Sequence, residues 1–219
     1  MISVIITAYK DWGWIDECIE SVKKQTFMDY DITLVSDGNP NLETFALKHN
    51  IKFLFSPKYN GSAAFNFGVK ESSGEWIKWL HDDDFLPPNS LSDLYNARGD
   101  SDIVYGNAVN FKGNKQVSET IAPKLIRLAD FSFDPIKCPI HGGTYLIKRN
   151  VFLEIGGIDE SLTVANDFDF YYRLLINGYK FSYCNSIVYW FRLHENQITF
   201  KEKEVIEDVK RYLKLKHNK

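Results

Sequence analysis

Two kinds of apolar pattern alternate along the first hundred residues. "SVIITAY" is β-branched and unbroken, the mark of a strand buried on both faces. Trp14, Ile15, Cys18, Ile19 and Val22 then recur at helical spacing. "DITLVSDGN" reads as a second strand ending in a turn, "NLETFALKHN" as a helix and "IKFLFS" as a third strand. "GSAAFNFGVKES" is a helix with small residues on one side, and "EWIKWL" a fourth strand that stops at an acidic cluster. A helix is expected from Pro88 to Ala97, with proline near its first turn. Strand and helix alternating in this way predict an α/β fold: a parallel, doubly wound sheet with right-handed crossovers.

The second half is less regular. "DIVYGNAVNF" and "KQVSETI" bracket a Lys-Gly-Asn turn and predict a hairpin. Residues 123–135 fit a short helix and loop. "GGTYLIK" reads as a strand, and "RNVFLEIGG" as a helix stopped by glycine. "ANDFDFYYRLLINGY" carries the strongest helical signal in the chain, "FSYCNSIVYWFR" is one strand or two short ones, and residues 201–216 form a charged terminal helix. No internal repeat or linker interrupts the pattern.

Parallel sheets of this kind bind ligands at the carboxyl ends of their strands. Thr7, Tyr9, Asp37 and the group Asp82, Asp83 and Asp84 all fall at strand ends, so three strand tips aim polar groups at one edge of the sheet. Three adjacent carboxylates repel one another, and something positive is expected to offset them. A divalent ion such as Mg²⁺ or Mn²⁺, which takes one or two carboxylates plus substrate phosphates, would do so. A solvated turn at a helix N-terminus is the competing reading. Asp37 precedes Gly38 and is by itself also a turn residue. Asp167 and Asp169 lie about 200° apart on a helix and cannot share a face. Asp167 is either the helix N-cap or a general base. His194 is either a ligand to metal or phosphate or an ordinary histidine.

Composition narrows the class. Hydrophobic residues make up 44% and charged residues 25% of 219 residues, a globular profile large enough to form a core without disulfides. The net charge of −3 argues against general nucleic-acid binding. Cys18, Cys138 and Cys184 are far apart with no C-x-x-C pair, so buried free thiols are expected rather than structural zinc. "MISVIITAYK" has no basic segment or cleavage site of a secretion signal, and no apolar run approaches the roughly 20 residues of a membrane span.

Four segments in order resemble family 2 of the glycosyltransferases, which have the GT-A fold and use nucleotide-activated sugars. They are "SVIITAYKDWGWIDECIESVKKQTF", "DITLVSDGN", "SPKYNGSAAFNFGVKESSGEWIKWLHDDDFLPP" and "GGTYLIKRNVFLEIGGIDESLTVANDFDFYYRLLINGY"; the trailing "FRLHENQIT" is similar to an Arg-x-His segment that often follows. Together they cover most of residues 1–199.

The resemblance implies a GT-A (Rossmann-like), mostly parallel sheet with helices on both faces and a small acceptor-side subregion. Over one domain, 1–219, residues 1–100 would bind nucleotide, 101–199 acceptor, and 200–219 form the terminal helix. Thr7, Tyr9 and Asp37 would line the base and ribose pocket. Asp82 to Asp84 would be the Asp-x-Asp motif for metal and diphosphate, Asp83 and Asp84 ranking above Asp82 as metal ligands, with His194 assisting. Members often have Asp where His81 stands. Asp167 matches the general base of an inverting reaction, although Asn166 replaces the usual Glu before it.

The expected donor is a UDP-sugar with Mn²⁺ or Mg²⁺, and the expected acceptor a glycan or lipid-linked saccharide. Arg173 and Lys58 are offered as phosphate or acceptor contacts, and Tyr189, Trp190 and Phe191 as a sugar-stacking wall or, alternatively, core. The last helix has Val205, Val209, Tyr212 and Leu213 on one stripe, with Lys210, Arg211, Lys214, Lys216 and Lys219 near its end. It could rest on an anionic membrane or be simply solvated. A cytoplasmic location, with or without contact to the inner face of the membrane, would follow. A metal-dependent nucleotidyltransferase and a non-catalytic sugar-binding module are the alternatives.

Overall fold

A computed structural model of the chain describes residues 1–131, 138–197 and 206–217. Its elements follow in the order β1 (Ile2–Ala8), α1 (Ile15–Lys23), β2 (Tyr30–Asp37), α2 (Glu43–His49), β3 (Lys52–Ser56), α3 (Gly61–Lys70), β4 (Trp76–His81) and α4 (Ser90–Ala97). Then come β5 (Ile103–Lys112), β6 (Lys115–Thr120), β7 (Tyr145–Lys148), α5 (Arg149–Glu154), α6 (Asn166–Ile176), β8 (Phe181–Arg192) and α7 (Ile206–Lys216).

The strands form one sheet in the order β3-β2-β1-β4-β7-β5-β6, with β8 also paired to β5. β1 sits between β2 and β4, parallel to both, which is why all seven of its residues are apolar or small and buried. Alternate residues of β1 feed opposite faces. Val4 and Ile6 pack with α1, α2 and α4, whereas Ile5 packs with α3, α5, α6 and α7. In α1 the stripe Ile15, Cys18, Ile19 and Val22 is almost wholly buried, each large side chain stabilising by about 1.5–3 kcal/mol. The small residues of α3 let it sit close on the sheet: a methyl group at Gly68 would meet Ile5 Cγ2 at 2.6 Å.

The second half turns the sheet mixed. β7 runs antiparallel to both β4 and β5, and β6 folds back on β5 as the hairpin its pattern predicts. "FSYCNSIVYWFR" is one 12-residue strand, parallel to β5 and irregular in register around Asn107. "GGTYLIK" is a strand only from Tyr145; Gly142 and Gly143 lie in a turn closed by Thr144 N–H donating to the His141 carbonyl at 3.1 Å. Helix α4 begins at Ser90, after both prolines, because Asn89 takes the N-cap position.

Cys18 and Cys184 are buried and Cys138 half-buried, all as free thiols. On the terminal helix, Val209 and Leu213 pack into the same core cluster as α6, so these two positions of its apolar stripe face protein. The stripe position Val205, the basic residue Lys219 and residues 201–204 lie outside the described residues, as do Ile198, Thr199 and residues 132–137. No helix among the described residues is long and apolar enough to cross a membrane.

Candidate active site

The parallel register of β2, β1 and β4 carries three chain segments to one edge. Thr7 lies opposite Val35 and His81, Asp37 ends β2, and the acidic turn starts as β4 ends. A cavity of about 650 Å³ opens there, lined by Thr7, Tyr9, Asp37, Asp82, Asp83 and His194 among others. Every residue read from the sequence as a donor contact therefore reaches one hollow. Thr7 Oγ1 accepts from Trp79 Nε1 at 2.9 Å, which fixes its rotamer. Asp37 accepts from the backbone N–H of Asn60; burial pushes its carboxyl up and that hydrogen bond opposes the shift. Tyr9 is 54% exposed and meets Tyr59 edge-on, ring centroids 6.5 Å apart.

Asp82, Asp83 and Asp84 point to three different environments. The turn closes with Asp84 N–H donating to the His81 carbonyl at 3.1 Å. Asp84 is 1% exposed and faces inward: one oxygen accepts from Tyr189 Oη at 2.7 Å and the other from Arg192 N–H at 2.8 Å. Burial pushes its carboxyl well up, and the neighbouring charge of Asp83 adds to the effect. Asp83 Oδ2 instead lies 2.9 Å from His194 Nε2 on the cavity wall. Among the described residues, Asp82 Oδ2 is buried without a hydrogen-bond partner, and so is His194 Nδ1. Burial also drives the Asp82 carboxyl well up, with Asp83 next in effect.

Arg192 reaches the triplet from within the protein, but its charge is paired with Glu17 and not with the carboxylates of the three acids. Arg192, 6% exposed, donates Nε–H to the Asp83 carbonyl at 2.8 Å and a terminal N–H to Glu17 at 2.5 Å. Its guanidinium lies 5.1 Å from the Trp14 ring centre and 5.0 Å from that of Phe85. Gln197 then accepts from His194 N–H at 3.2 Å and donates to the Arg192 carbonyl at 2.6 Å. The imidazole packs on Trp14 at 4.7 Å. The sequence offers no sign that Arg192, Tyr189, Glu17 and Gln197 support the acidic turn; from sequence, Tyr189 is placed only in a sugar-stacking wall or core. It shows only that an arginine closes the apolar run "VYWF".

Each oxygen of Asp84 thus has one protein donor, and Asp84 lines the cavity together with Asp82, Asp83 and His194. No three or more His, Cys, Asp or Glu side chains among the described residues already converge on one point. The orphaned oxygen of Asp82 and the adjoining Asp83–His194 pair nevertheless suit a hard divalent cation that draws its remaining ligands from phosphate oxygens.

Asp167 is the second residue of α6 and not its cap; the N-cap is Ala165, in the left-handed region at φ 59, without a side-chain cap. Asp167 Oδ1 accepts from Phe168 N–H at 2.7 Å. Its other oxygen faces Gly142, where a methyl group would stand 3.2 Å away. Burial raises its carboxyl to about 6. Asn166 lines the cavity and donates to Ser62 Oγ at 2.9 Å, so Asp167, which is not itself part of the lining, adjoins the cavity through its neighbour.

Other candidates fall away from the site. Arg173 donates to Asp169 and to the carbonyls of Ile155 and Gly157 at 2.7–2.8 Å. Asp169, fully buried, also pairs with Lys216 at 2.8 Å and His217 at 3.0 Å. Lys58 pairs with Glu160 at 2.8 Å on the surface. Strand alternation turns Trp190 away onto Phe85 and Phe111, while Tyr189 and Phe191 share the face toward His141; Tyr189 holds Asp84, and of the three only Phe191 lines the cavity.

Residues 3–156, more than half of the chain, match the family described as glycosyl transferase family 2. An uncharacterised glycosyltransferase of Rickettsia typhi is 29% identical over 211 residues, covering 91% of this chain and 66% of that protein. Glycosyltransferase GlyG of Streptococcus pneumoniae is 31% identical over 120 residues, 51% of this chain and 40% of that protein. The crystal structure of S. aureus TarS 1–349 in complex with UDP-GlcNAc superposes with a TM-score of 0.76 at 17% identity, covering 98% of this chain and 65% of that one. That likeness establishes a shared GT-A fold. This chain spans two thirds or less of the length of each.

Proposed function

The chain belongs to glycosyl transferase family 2, and from that premise we propose that it moves a sugar from a nucleotide diphosphate, with UDP as the favoured nucleotide, to a hydroxyl of a glycan or lipid-linked acceptor. One observation carries the reading: Thr7, Asp37, Asp82, Asp83 and His194 come from three strand ends and a distant loop, yet open on one cavity of about 650 Å³. TarS, whose fold this chain shares, was crystallised with UDP-GlcNAc.

In this reading residues 1–100 hold the donor and residues 101–199 the acceptor. Asp37 accepts from an N–H of the base, the exposed ring of Tyr9 covers it, and Thr7 offers its hydroxyl proton to the ligand. Asp83, His194 and Asp82 would hold a divalent cation, which would offset the negative charge of the departing diphosphate. Asp167 takes the proton from the acceptor hydroxyl. The hydroxyl oxygen attacks the anomeric carbon as the bond to the diphosphate oxygen breaks, and single displacement inverts that carbon. Val209 and Leu213 are spent on the core, so the reading needs no lipid contact from that stripe.

Donor and metal are tested together by thermal shift with UDP and UDP-GlcNAc, with and without Mn²⁺. A ligand at 100 times its Kd stabilises by about 2.7 kcal/mol, and each kcal/mol raises Tm by roughly 2–4 °C in a chain of this size. The expected result is a rise that needs both nucleotide and metal. No response to any nucleotide-sugar under either condition would overturn the proposal, and binding without turnover would make the chain a sugar-nucleotide-binding module.

The base must be ionised to work. With its carboxyl raised to about 6 by burial, Asp167 is protonated below that pH and charged above it. The expected kcat/KM therefore climbs about tenfold per pH unit below 6 and levels above it. A profile flat from pH 5 to 8 would exclude Asp167 as the titrating base.

A further inference from the structure

Lys78 stands in the middle of β4, between Ile77 and Trp79, and is 0% exposed. Burying an ammonium costs several kcal/mol, and among the described residues no carboxylate lies within ion-pairing distance to offset it. An apolar side chain of equal length would fill the space without that cost. The lysine instead spends its protons on backbone. Nζ donates to the carbonyl of Gly143, and to that of Trp79 at 3.2 Å. It also lies 4.9 Å from the centre of the Tyr189 ring, a cation–π contact.

Both of these partners lead into the active site. Tyr189 donates its hydroxyl to Asp84 at 2.7 Å and so braces the acidic turn. Gly143 sits flat on the Tyr189 ring, where a methyl group would come within 2.2 Å of Cζ. Its neighbour Gly142 abuts Asp167 Oδ2. The turn 141–143 is thus wedged between the base candidate and the tyrosine that braces the acidic turn; Lys78 holds it at the Gly143 carbonyl, while Thr144 Oγ1 and Tyr171 Oη donate to the His141 carbonyl at 2.8 and 3.4 Å. Burial lowers the ammonium to about 7, with Asp84 opposing the shift. His141, in the same turn, is pushed down to about 4 by burial, with His81 and Lys78 adding to the effect.

We propose that Lys78 is a positioning residue that holds the Gly142–Gly143 turn against both Tyr189 and Asp167, so that the metal-binding acids and the base keep one mutual geometry. This rests on the transferase reading above. A misplacement of about 1 Å at a reacting group can cost about 10²-fold in rate, which sets the scale of the effect.

The test compares Lys78→Met, which keeps the volume and loses the donor, with Lys78→Gln, which keeps an N–H for the Gly143 carbonyl. UDP-GlcNAc with Mn²⁺ is the probe, and UDP release the readout. In Lys78→Met the Tm is expected to hold or rise, kcat to fall about 10²-fold and donor KM to stay within about threefold; Lys78→Gln is expected to regain about tenfold. In the crystal structure of Lys78→Met the turn 141–143 is expected about 1 Å away from Asp167 relative to the parent. Turnover of Lys78→Met within about twofold of the parent, equal or greater activity than Lys78→Gln, an unmoved turn, or loss of fold in both variants would each overturn the proposal. A parent protein that releases no UDP would count against the transferase reading alone, since the position of the turn is read without activity.

Discussion

Asp167→Asn is expected to bind the nucleotide-sugar as well as the parent does and to lose transfer by about 10³-fold in kcat, within the range that a positioned general base contributes. The substitution removes little else. Asparagine is the same size, and its carbonyl can accept from Phe168 N–H as the carboxylate does at 2.7 Å. The carboxyl is also held above its ordinary range by burial, so ionising it at neutral pH works against the fold. A neutral amide removes that penalty, and Tm is expected to stay level or rise. Thermal melts with UDP-GlcNAc and Mn²⁺, run beside a transfer assay, separate the two effects. Transfer within about threefold of the parent, far below the loss a base should show, would take Asp167 out of the mechanism.

Asp83→Asn is the second large effect, and it acts on a different step. Of the three adjacent acids, Asp83 alone meets His194 at the cavity wall. Asp84 is deeper, and Tyr189 and the Arg192 N–H each already hold one lone pair of its two oxygens. The variant is expected to lose the Mn²⁺-dependent part of the thermal shift. Its turnover should fall by about 10²–10³-fold, the loss of several kcal/mol of charge stabilisation at the leaving group. Asp84→Asn makes the informative control. It disturbs a buried brace, so Tm is expected to drop while some response to metal persists. If Asp84→Asn abolished the metal response and Asp83→Asn kept it, the assignment of the two acids would be reversed.

Much of the site could be read before any coordinates. The alternating patterns put Thr7, Tyr9, Asp37 and the acidic triplet at strand ends, and in a parallel sheet neighbouring strand ends share an edge. That inference needs only local patterning and one topological rule, and the cavity stands where it predicts. The division of labour within the triplet could not be read in the same way. Asp83 and Asp84 are adjacent in a turn, and local sequence treats them alike. Their roles differ because β8, more than a hundred residues later, supplies Tyr189 and Arg192 on the inner side of the turn, and the loop after it supplies His194 on the outer side. Arg173, offered as a phosphate or acceptor contact, is paired with its buried i−4 neighbour Asp169, whose burial local sequence does not reveal.

Chain order and side-chain periodicity by themselves determined the alternating strands and helices, the two-sided burial of β1 and the edge at which chemistry would gather. These follow from interactions within a few residues of each other, repeated along the chain. Tertiary structure alone decided that β8 lies parallel on β5, that Arg192 and Tyr189 brace the acids, and that Lys78 meets the Gly142–Gly143 turn. In each of these the partners are distant in sequence and come together only when the sheet closes. A charged residue inside an apolar strand announces that a partner exists; only the fold says which one.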